Sequence, residues 1–456
     1  MEGKMEDRMN IFFVSLGCDK NLVDSEYMLG LTKKAGYQLV SQEEEADIIV
    51  INTCCFIHDA KEESIETILL MAKYKETGRC KRLVVTGCLA QRYHDEIREE
   101  IPEVDIILGS SNYSDLVEAI EKSFAEPSVT MLRDLSYLPD LSDVDRVVTT
   151  GDYLAYLKIG EGCNKRCTYC IIPSIRGNYR SVPMERLVKE AEKLAEGGTK
   201  ELILVAQETT VYGLDLYGKK MLPVLLKKLC QIEGLSWIRI LYCYPEEITD
   251  ELIEVMAQEE KICPYLDMPI QHCSDRILKA MGRKTNQAEL VGMVKKLREK
   301  IPDITLRTTL ISGFPGETEE DHEEMMNFVD EMEFDRLGVF TYSPEEGTKA
   351  ARMEGQIAEE IKEKRRDEIM ELQQEISYEK NQAMIGQTLC VLIEGYLYED
   401  DIYIGRSRKD APKVDGCVFV RSPEEIVSGT FVTVKITEAN EYDLIGDVVY
   451  GNEFTE

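Results

Sequence analysis

Short apolar runs alternate with amphipathic stretches over the first 125 residues of this 456-residue chain. Apolar runs separated by helix-like segments are typical of parallel strands that are buried on both faces of a sheet. We therefore predict that residues 10–125 form an open parallel α/β domain. Residues 126–150 lack this periodicity, and we predict a linker there. The strand-like runs are IFFVSL (11–16), ADIIVINT (46–53), RLVVTG (82–87) and VDIILG (104–109).

A second block repeats the same rhythm six times between residues 150 and 350. Repeated βα units with right-handed crossovers form a parallel barrel, and a full barrel has eight of them. We therefore predict a central partial (β/α)6 barrel, whose open side suits a bulky substrate such as another protein. The six runs begin at residues 153, 201, 237, 265, 304 and 336.

The last hundred residues have a different character. Residues 356–380 carry apolar side chains every three or four positions among charged ones, which predicts a connecting helix. Residues 381–456 are rich in Val, Ile, Tyr and Thr with turn signals, and they predict a small antiparallel β-barrel. Such barrels often bind RNA. This segment has 14 acidic and 6 basic residues, a net charge of −8, which disfavours RNA.

Cys163, Cys167 and Cys170, here called the core triad, form a C-x3-C-x2-C pattern directly after the first strand of the second block. Three thiolates at this spacing can hold three irons of a [4Fe–4S] cluster and leave the fourth iron open to a substrate or cofactor. A zinc knuckle normally has a fourth Cys or His nearby, and none follows within the next 50 residues. Disulfide sets suit small secreted domains. The pattern therefore favours a reactive cluster.

Three further cysteines each end a predicted strand of the first block: Cys18, Cys54 and Cys88, here called the N-terminal triad. The carboxyl ends of parallel strands share one edge of a sheet, where open α/β domains bind ligands. The three thiols are therefore predicted to converge and to hold a second iron–sulfur cluster. The alternative is that each packs as a small hydrophobic residue. The adjacent Cys55 should point the other way, and we predict that it only packs.

Net charge and cysteine distribution bear on the compartment and the partner. The formal net charge is −32, with 86 acidic and 54 basic residues. This balance is the opposite of an RNA-binding surface, and it suits either plain solubility or attraction to a strongly basic protein. The 14 cysteines are scattered, the N-terminus lacks a signal-peptide pattern, and no run of about 18 apolar residues occurs. We therefore expect a reduced, cytoplasmic enzyme with no membrane span.

The CNKRCTYC loop, with Tyr169 before its last cysteine, resembles the signature of radical S-adenosylmethionine (SAM) enzymes. Together with the N-terminal triad and the terminal β-barrel, it is similar to the methylthiotransferases, which combine a cluster domain, a radical SAM core and a TRAM domain. The stretches SLGCDKNLVDSE, YLDMPIQHCSDRILKAMGR and RTTLISGFPGETEEDH resemble the RimO family within that group. Relatives that modify tRNA typically have GCQMN where this chain has GCDKN, and a more basic terminal barrel.

The resemblance implies that an aspartate of small-subunit ribosomal protein S-twelve, a very basic protein, is converted to β-methylthioaspartate. It implies two [4Fe–4S] clusters, one on each triad, and SAM as both radical source and methyl donor. It also implies an electron donor such as flavodoxin or ferredoxin, and a sulfur donor. Methylthiolation of a tRNA adenosine is the alternative activity. A non-catalytic zinc-binding module is the alternative from a different class.

Candidate contacts to SAM lie at predicted strand ends of the barrel, where barrel active sites form. Each has a structural alternative: the aromatic residues as core, the arginine as an ion pair, the glycine as a turn residue. Of the histidines, His272 is expected to be a satisfied polar residue at a strand end, and His58, His94 and His322 are expected to be exposed. The SAM candidates are Tyr156, Tyr169, Gln207, Glu208, Arg307 and Gly313.

Overall fold

The computed structural model describes residues 9–450, which form an open α/β sheet, a partial barrel and a small closed barrel in chain order. This architecture confirms the predicted fold class. Within these residues, no helix is both long enough and apolar enough to cross a membrane.

The first unit is a parallel sheet covered by helices on both faces. Its central strand IIVINT is buried along its whole length, as expected for a parallel strand between two helical layers. The elements are β1 (Asn10–Ser15), α1 (Asp19–Lys34), β2 (Gln38–Leu39), β3 (Ile48–Thr53), α2 (His58–Ala72), α3 (Tyr74–Thr77), β4 (Arg82–Gly87), α4 (Cys88–Arg92), α5 (His94–Glu100), β5 (Ile106–Leu108), α6 (Leu116–Ser123) and β6 (Val129–Met131).

The strands of this sheet lie in the order β2-β1-β3-β4-β5-β6, and all pair in parallel. The four predicted strands form its centre, as β1, β3, β4 and β5. The two edge strands were not predicted, since two or three residues are too few to show a periodicity. The prediction of a linker over 126–150 is wrong at its start, because residues 129–131 form β6 and pair with β5.

The second unit is the partial barrel. Its elements are β7 (Leu154–Lys158), β8 (Gly160–Glu161), α7 (Ile172–Arg176), β9 (Arg180–Ser181), α8 (Met184–Glu196), β10 (Glu201–Val205), α9 (Leu214–Tyr217), α10 (Leu222–Cys230), β11 (Trp237–Ile240), α11 (Asp250–Gln258), β12 (Ile262–Asp267), α12 (Asp275–Met281), α13 (Gln287–Lys300), β13 (Thr305–Ser312), α14 (Glu319–Met332) and β14 (Arg336–Thr341). Its six main strands are parallel, in the order β14-β13-β12-β11-β10-β7.

The two faces of the barrel sheet pack against different partners. The outer face forms the largest apolar core of the molecule with the barrel helices. The inner face forms a second core, which includes Val23 from α1 of the first unit. Leu392 and Ala411 from the third unit join the same inner core. The partial barrel is therefore filled by its neighbours on both sides in the chain.

A long helix and a closed five-stranded barrel complete the chain. The strands lie in the order β15-β16-β17-β19-β18, antiparallel except for the β17–β19 pair. This small barrel docks on the large one through Glu201, which binds Arg239 and Arg406, and all three side chains are buried. The elements are α15 (Glu359–Gln382), β15 (Thr388–Leu397), β16 (Ile402–Ser407), β17 (Val418–Arg421), β18 (Phe431–Ala439) and β19 (Leu444–Val448).

Candidate active site

The N-terminal triad lies at the carboxyl edge of the first sheet. Cys18 lies between β1 and α1, Cys54 follows β3, and Cys88 is the first residue of α4, directly after β4. These three strands are neighbours, so their ends place the three cysteines side by side. Burial above all raises the pKa of the Cys88 thiol to about 12, and Cys54 and Cys18 add to the rise.

Gly17 and Asn21 hold the loop that carries Cys18. Gly17 has a φ of +83° and passes so close to Cys54 that a Cβ on it would lie 2.9 Å from the Cys54 Sγ atom. Asn21 donates a hydrogen bond from Nδ2 to the Thr53 carbonyl oxygen at 3.0 Å. These contacts tie the loop after β1 to the loop after β3. The G and the N of the GCDKN stretch therefore set the distance between two of the thiols.

Cys54 and Cys55 have different surroundings. Cys54 packs against Gly17. Burial raises the pKa of its thiol, and the nearby Cys18 adds to that rise. Cys55 is fully buried in the apolar core of the first unit, and burial raises its pKa far above the usual value. This geometry favours Cys54 as the thiol available to a metal and Cys55 as a packing residue.

The core triad lies in the loop between β8 and α7. Backbone hydrogen bonds fix this loop, since Cys163 N–H donates to the Gly177 carbonyl and Cys170 N–H to the Cys167 carbonyl, both at 3.1 Å. Cys163 and Cys167 are buried and Cys170 is half-buried. Burial raises the pKa of Cys163 and of Cys170 to about 12. Thiolates in such a site need a bound metal to offset their charge.

In neither triad do the three thiol sulfurs all lie as close together as a single metal ion would hold them. Within residues 9–450, three potential ligand atoms lie within 4.8 Å of one another only at His58, Asp59 and Glu62, all exposed. Neither cysteine triad meets that limit. One zinc ion would hold its sulfurs about 3.8 Å apart, because the Zn–S bonds of a tetrahedral site are about 2.3 Å long. A [4Fe–4S] cluster binds each thiolate through a separate iron and spreads the sulfurs farther apart.

The two triads adjoin each other across the junction between the first unit and the barrel. The helix α7 begins two residues after Cys170 and ends at Arg176, whose Nε donates to the Cys88 Sγ atom at 3.3 Å. Tyr242, just beyond β11, donates its hydroxyl to the Asp19 carboxylate at 3.0 Å, next to Cys18 in the chain. The carboxyl edge of the first sheet therefore meets both the core-triad loop and a strand end of the barrel.

Tyr242 was not predicted as a site residue, and its backbone marks it as unusual. Its φ is +61°, a conformation that costs energy for a residue with a side chain and that concentrates at functional sites. Lys20, the second residue after Cys18, places its Nζ 3.3 Å from the centre of the Tyr242 ring. A local sequence pattern carries no signal for such a contact, because the two residues belong to different units.

Three of the SAM candidates lie near the core triad. Gln207 donates from Nε2 to Glu161 at 2.8 Å, and its Oε1 is buried with no partner among residues 9–450. Glu208 is buried, which raises its pKa to about 7, and Lys165 Nζ lies 3.9 Å from its carboxylate. Tyr169 is buried, which above all raises its pKa, and it lies close to Cys167 and Cys170. An orphaned amide oxygen and a buried carboxyl group with a raised pKa suit a polar ligand.

The other three candidates make structural contacts. Tyr156 lies in the core on the inner face of the barrel sheet. Arg307 donates from Nη1 to Asp267 on the neighbouring strand at 2.8 Å. Gly313 packs on α15, where a Cβ would lie 2.2 Å from the Cγ atom of Lys362. These contacts match the structural alternatives, and any role toward SAM stays a prediction.

Arg283 is a candidate site residue that the sequence analysis missed. Its side chain is fully buried, and its guanidinium carbon lies 4.3 Å from the centre of the Tyr244 ring. The Tyr244 hydroxyl in turn lies 3.9 Å from the Cys167 Sγ atom. Two guanidinium nitrogens of Arg283, Nε and Nη1, have no partner within the described residues. A buried cation with free donors beside the core triad suits an anionic group of a ligand.

The histidine predictions have mixed outcomes. His272 is fully buried, and its Nδ1 accepts backbone N–H bonds from Cys273 and Ser274, each at 3.0 Å. Its Nε2 is buried with no hydrogen-bond partner among residues 9–450, so the prediction of a satisfied polar residue holds for one ring nitrogen only. His58 is exposed, as predicted, whereas His94, which was also predicted to be exposed, is half-buried. The prediction for His322 is wrong, because it is buried between α14 and α15 with its Nε2 2.8 Å from Glu368. The residues next to His322 in the sequence are charged, which predicted exposure, but Glu368 of α15 packs against its ring and covers it.

Three family models match the chain in order. They are Uncharacterized protein family UPF0004 over residues 10–109, the Radical SAM superfamily over 157–329 and the TRAM domain over 385–449. The ribosomal protein uS12 methylthiotransferase RimO of Lachnoclostridium phytofermentans is 63% identical over 438 residues, which cover 96% of this chain and 99% of that protein. The protein of the same name from Clostridium acetobutylicum is 52% identical, with 99% and 100% covered. This chain belongs to the RimO family.

Family membership settles the class of cofactor. A radical SAM enzyme uses an iron–sulfur cluster and SAM, and these are cofactors of this RimO family member. The radical SAM methyltransferase TsrM from Kitasatospora setae, solved with cobalamin and a [4Fe–4S] cluster, has a similar fold, with a TM-score of 0.54. The match covers 75% of this chain and 74% of TsrM at 13% identity. At that identity the likeness concerns the fold alone.

Proposed function

We propose that this protein transfers a methylthio group to the β-carbon of an aspartate in ribosomal protein uS12. Relatives that carry this function in their name share 50 to 63% of residues over nearly the full length of both chains. The protein would act in the cytoplasm, where ribosomal proteins are made and assembled. Its acidic surface, with a net charge of −32, suits a strongly basic substrate.

We propose further that the reaction uses two [4Fe–4S] clusters, one on each triad. The observation that carries this proposal is the contact between Arg176, six residues after Cys170, and the thiol of Cys88. It links the helix that follows the core triad to a thiol of the N-terminal triad, which supports the close approach that transfer of sulfur to a short-lived carbon radical requires. When bound, the core cluster and SAM supply a radical oxidant strong enough for an unactivated C–H bond.

The residues of the chain supply the surroundings for this chemistry. Burial of Cys163, Cys167 and Cys88 keeps water from the reacting centres, which protects a radical from side reactions. Cys18 is exposed, so the N-terminal site is open on one side. We propose that the sulfur donor and the substrate loop approach from that side. An electron donor such as flavodoxin or ferredoxin would serve the core site.

We propose that SAM lies between the core triad and the carboxyl ends of β7, β10 and β11. The orphaned Oε1 atom of Gln207 suits a hydroxyl or ammonium donor, and the buried carboxylate of Glu208 suits the positive charge of the ligand. The free donors of Arg283 suit its carboxylate. Tyr156, Arg307 and Gly313 would then support the site through the structural contacts described above.

The test is mass spectrometry of uS12 after incubation with the reconstituted enzyme, SAM, sulfide and dithionite. Replacement of hydrogen by a methylthio group adds about 46 Da, and we expect that gain on one aspartate. Cys163→Ala should abolish the gain, and Cys230→Ala, which alters a buried cysteine at the end of the barrel helix α10, should not. A methylthioadenosine in tRNA with unmodified uS12 would instead support the tRNA activity, which the acidic terminal barrel disfavours.

A further inference from the structure

Arg176 is the one residue of the radical core that contacts a thiol of the N-terminal triad among the described hydrogen bonds. It is the last residue of α7 and is 2% exposed. Its Nε donates to the Cys88 Sγ atom at 3.3 Å. An arginine side chain is planar and rigid at its end, so this bond fixes the sulfur relative to α7.

The rest of the guanidinium group is held by a buried charge network. Its Nη1 donates to Asp24 at 2.9 Å and to Glu161 at 3.3 Å, and its Nη2 donates to Asn21. Lys158 binds the same two carboxylates. Two cations thus face two carboxylates, and the four charges balance without the sulfur.

Because the four charges already balance, the hydrogen bond to Cys88 is not needed to neutralise the network. The carboxylates and the amide of Asn21 occupy Nη1 and Nη2, and they aim the remaining N–H, on Nε, at the sulfur. All the groups are buried, and hydrogen bonds are electrostatically stronger in a low dielectric. A purely structural ion network would not need a donor on the thiol side.

Hydrogen bonds to cysteine sulfurs are one of the means by which a protein sets the reduction potential of an iron–sulfur cluster. Reduction adds an electron, and part of the added negative charge falls on the ligand sulfurs. A cationic N–H donor stabilises that reduced form more than the oxidised form. Such a donor therefore raises the reduction potential.

We propose that Arg176 is a positioning residue which the radical core contributes to the N-terminal site, where it orients Cys88 and raises the reduction potential of the cluster held by Cys18, Cys54 and Cys88. This inference rests on the second cluster of the proposed function. Because α7 begins two residues after Cys170, the same short helix connects the ligands of both clusters.

The test compares two double variants with equal charge loss. The full-length chain with Cys163, Cys167 and Cys170 changed to Ala serves as the parent, so that only the N-terminal cluster gives a signal. Asp24→Asn with Arg176→Gln removes the donor to Cys88 and leaves Lys158 paired with Glu161. Asp24→Asn with Lys158→Gln removes the same charges and leaves Arg176 in place.

The measurement is an anaerobic redox titration followed by electron paramagnetic resonance. We expect the reduction potential of the Arg176 double variant to lie at least about 59 mV below that of the parent. This shift corresponds to a tenfold less favourable one-electron reduction. The Lys158 double variant should stay close to the parent. Equal shifts in both variants, or none in either, would overturn the inference.

Two controls separate the ways in which the experiment can fail. A parent that binds no iron would refute the second cluster, and with it this inference. A parent that binds about four irons but shows no dependence on Arg176 refutes the inference alone. If the Arg176 double variant does not fold, Arg176→Lys replaces it, because a lysine keeps the charge but cannot serve Asp24, Asn21 and Cys88 together. Its potential should fall as well, and an unchanged potential contradicts the inference.

Discussion

Cys54 and Cys55 are neighbours in the chain, and we propose that only Cys54 binds the metal. Cys54 lies against Gly17 beside Cys18, whereas Cys55 is enclosed in the core of the first unit. We predict that Cys54→Ala loses the iron of the N-terminal site and all methylthio transfer. Cys55→Ala should keep both and cost about 1 kcal/mol of stability, as for loss of a small buried side chain. Iron analysis and the uS12 assay check both variants.

The opposite result, in which Cys55→Ala loses iron and Cys54→Ala keeps it, would exchange the roles of the two residues. The sequence alone supported Cys54 only weakly, because a pair of adjacent cysteines offers no pattern to choose between them. Which of the two thiols faces Cys18 depends on the side of the strand end on which it lies. That side is set by how β3 packs against its neighbours.

Gly17 provides a second test at a single residue. Gly17 and Gly36 both have positive φ, at +83° and +93°, so alanine at either position is strained. A Cβ at Gly17 would also lie 2.7 Å from the Cβ of Cys54, whereas a Cβ at Gly36 would have nothing within 4 Å. We predict that Gly17→Ala lowers the iron content of the N-terminal site and that Gly36→Ala leaves it unchanged. Both should lose about 1 kcal/mol of stability from backbone strain alone.

Equal iron content in the two glycine variants would contradict this account, because it would show that the Cys18 and Cys54 loops do not need their close approach. Iron is measured after anaerobic reconstitution, and stability by urea unfolding of the iron-free proteins.

At the level of helices and strands, the sequence predicted what its periodicity could carry. The four central strands of the first sheet and the six of the barrel are long enough to show their apolar character, and all were found. The edge strands β2 and β6 have two and three residues and were missed. The contact of β10 and β11 with β16 was also missed, because the sequence does not show with which distant residue a charged side chain will pair.

That contact between the large and the small barrel leads to a prediction. Glu201 on β10 accepts hydrogen bonds from Arg239 at 2.9 Å and from Arg406 at 2.6 Å, and all three are buried. Glu201→Gln leaves two buried cations short of a partner, which typically costs 3–5 kcal/mol, or about 4 kcal/mol here. Glu438→Gln, which breaks an exposed pair with Arg421, should cost less than about 1 kcal/mol. Urea unfolding at pH 7 measures both.

The difference in unfolding free energy between the wild type and Glu201→Gln depends on pH in a defined way. Burial opposes the charge of Glu201, but Arg406 and Arg239 outweigh burial, and its pKa lies below the usual value. Its contribution is therefore complete above the unfolded pKa of about 4.3 and is lost as the pH falls through the folded value. The difference in unfolding free energy between wild type and Glu201→Gln should be constant from pH 7 to 5 and shrink below about pH 4. A difference that grows in acid would contradict the assignment.

Across the whole molecule, the three units pack together at the inner face of the barrel sheet. The first unit supplies the N-terminal triad, and the barrel supplies the core triad and Arg176. The third unit closes the inner face of the barrel with Leu392 and Ala411. The cysteine patterns predicted the two groups of thiols, but not that a buried arginine would join them, because Arg176 and Cys88 are 88 residues apart in the chain. Three of the six SAM candidates make structural contacts, and the role of all six toward SAM stays a prediction.

The central claim is that both cysteine triads hold a cluster, and iron and sulfide analysis after anaerobic reconstitution tests it most directly. We predict about eight irons and eight sulfides per wild-type chain, and about four of each when either triad is changed to alanine. About four irons in the wild type, with no loss when Cys18, Cys54 and Cys88 are replaced, would contradict the claim.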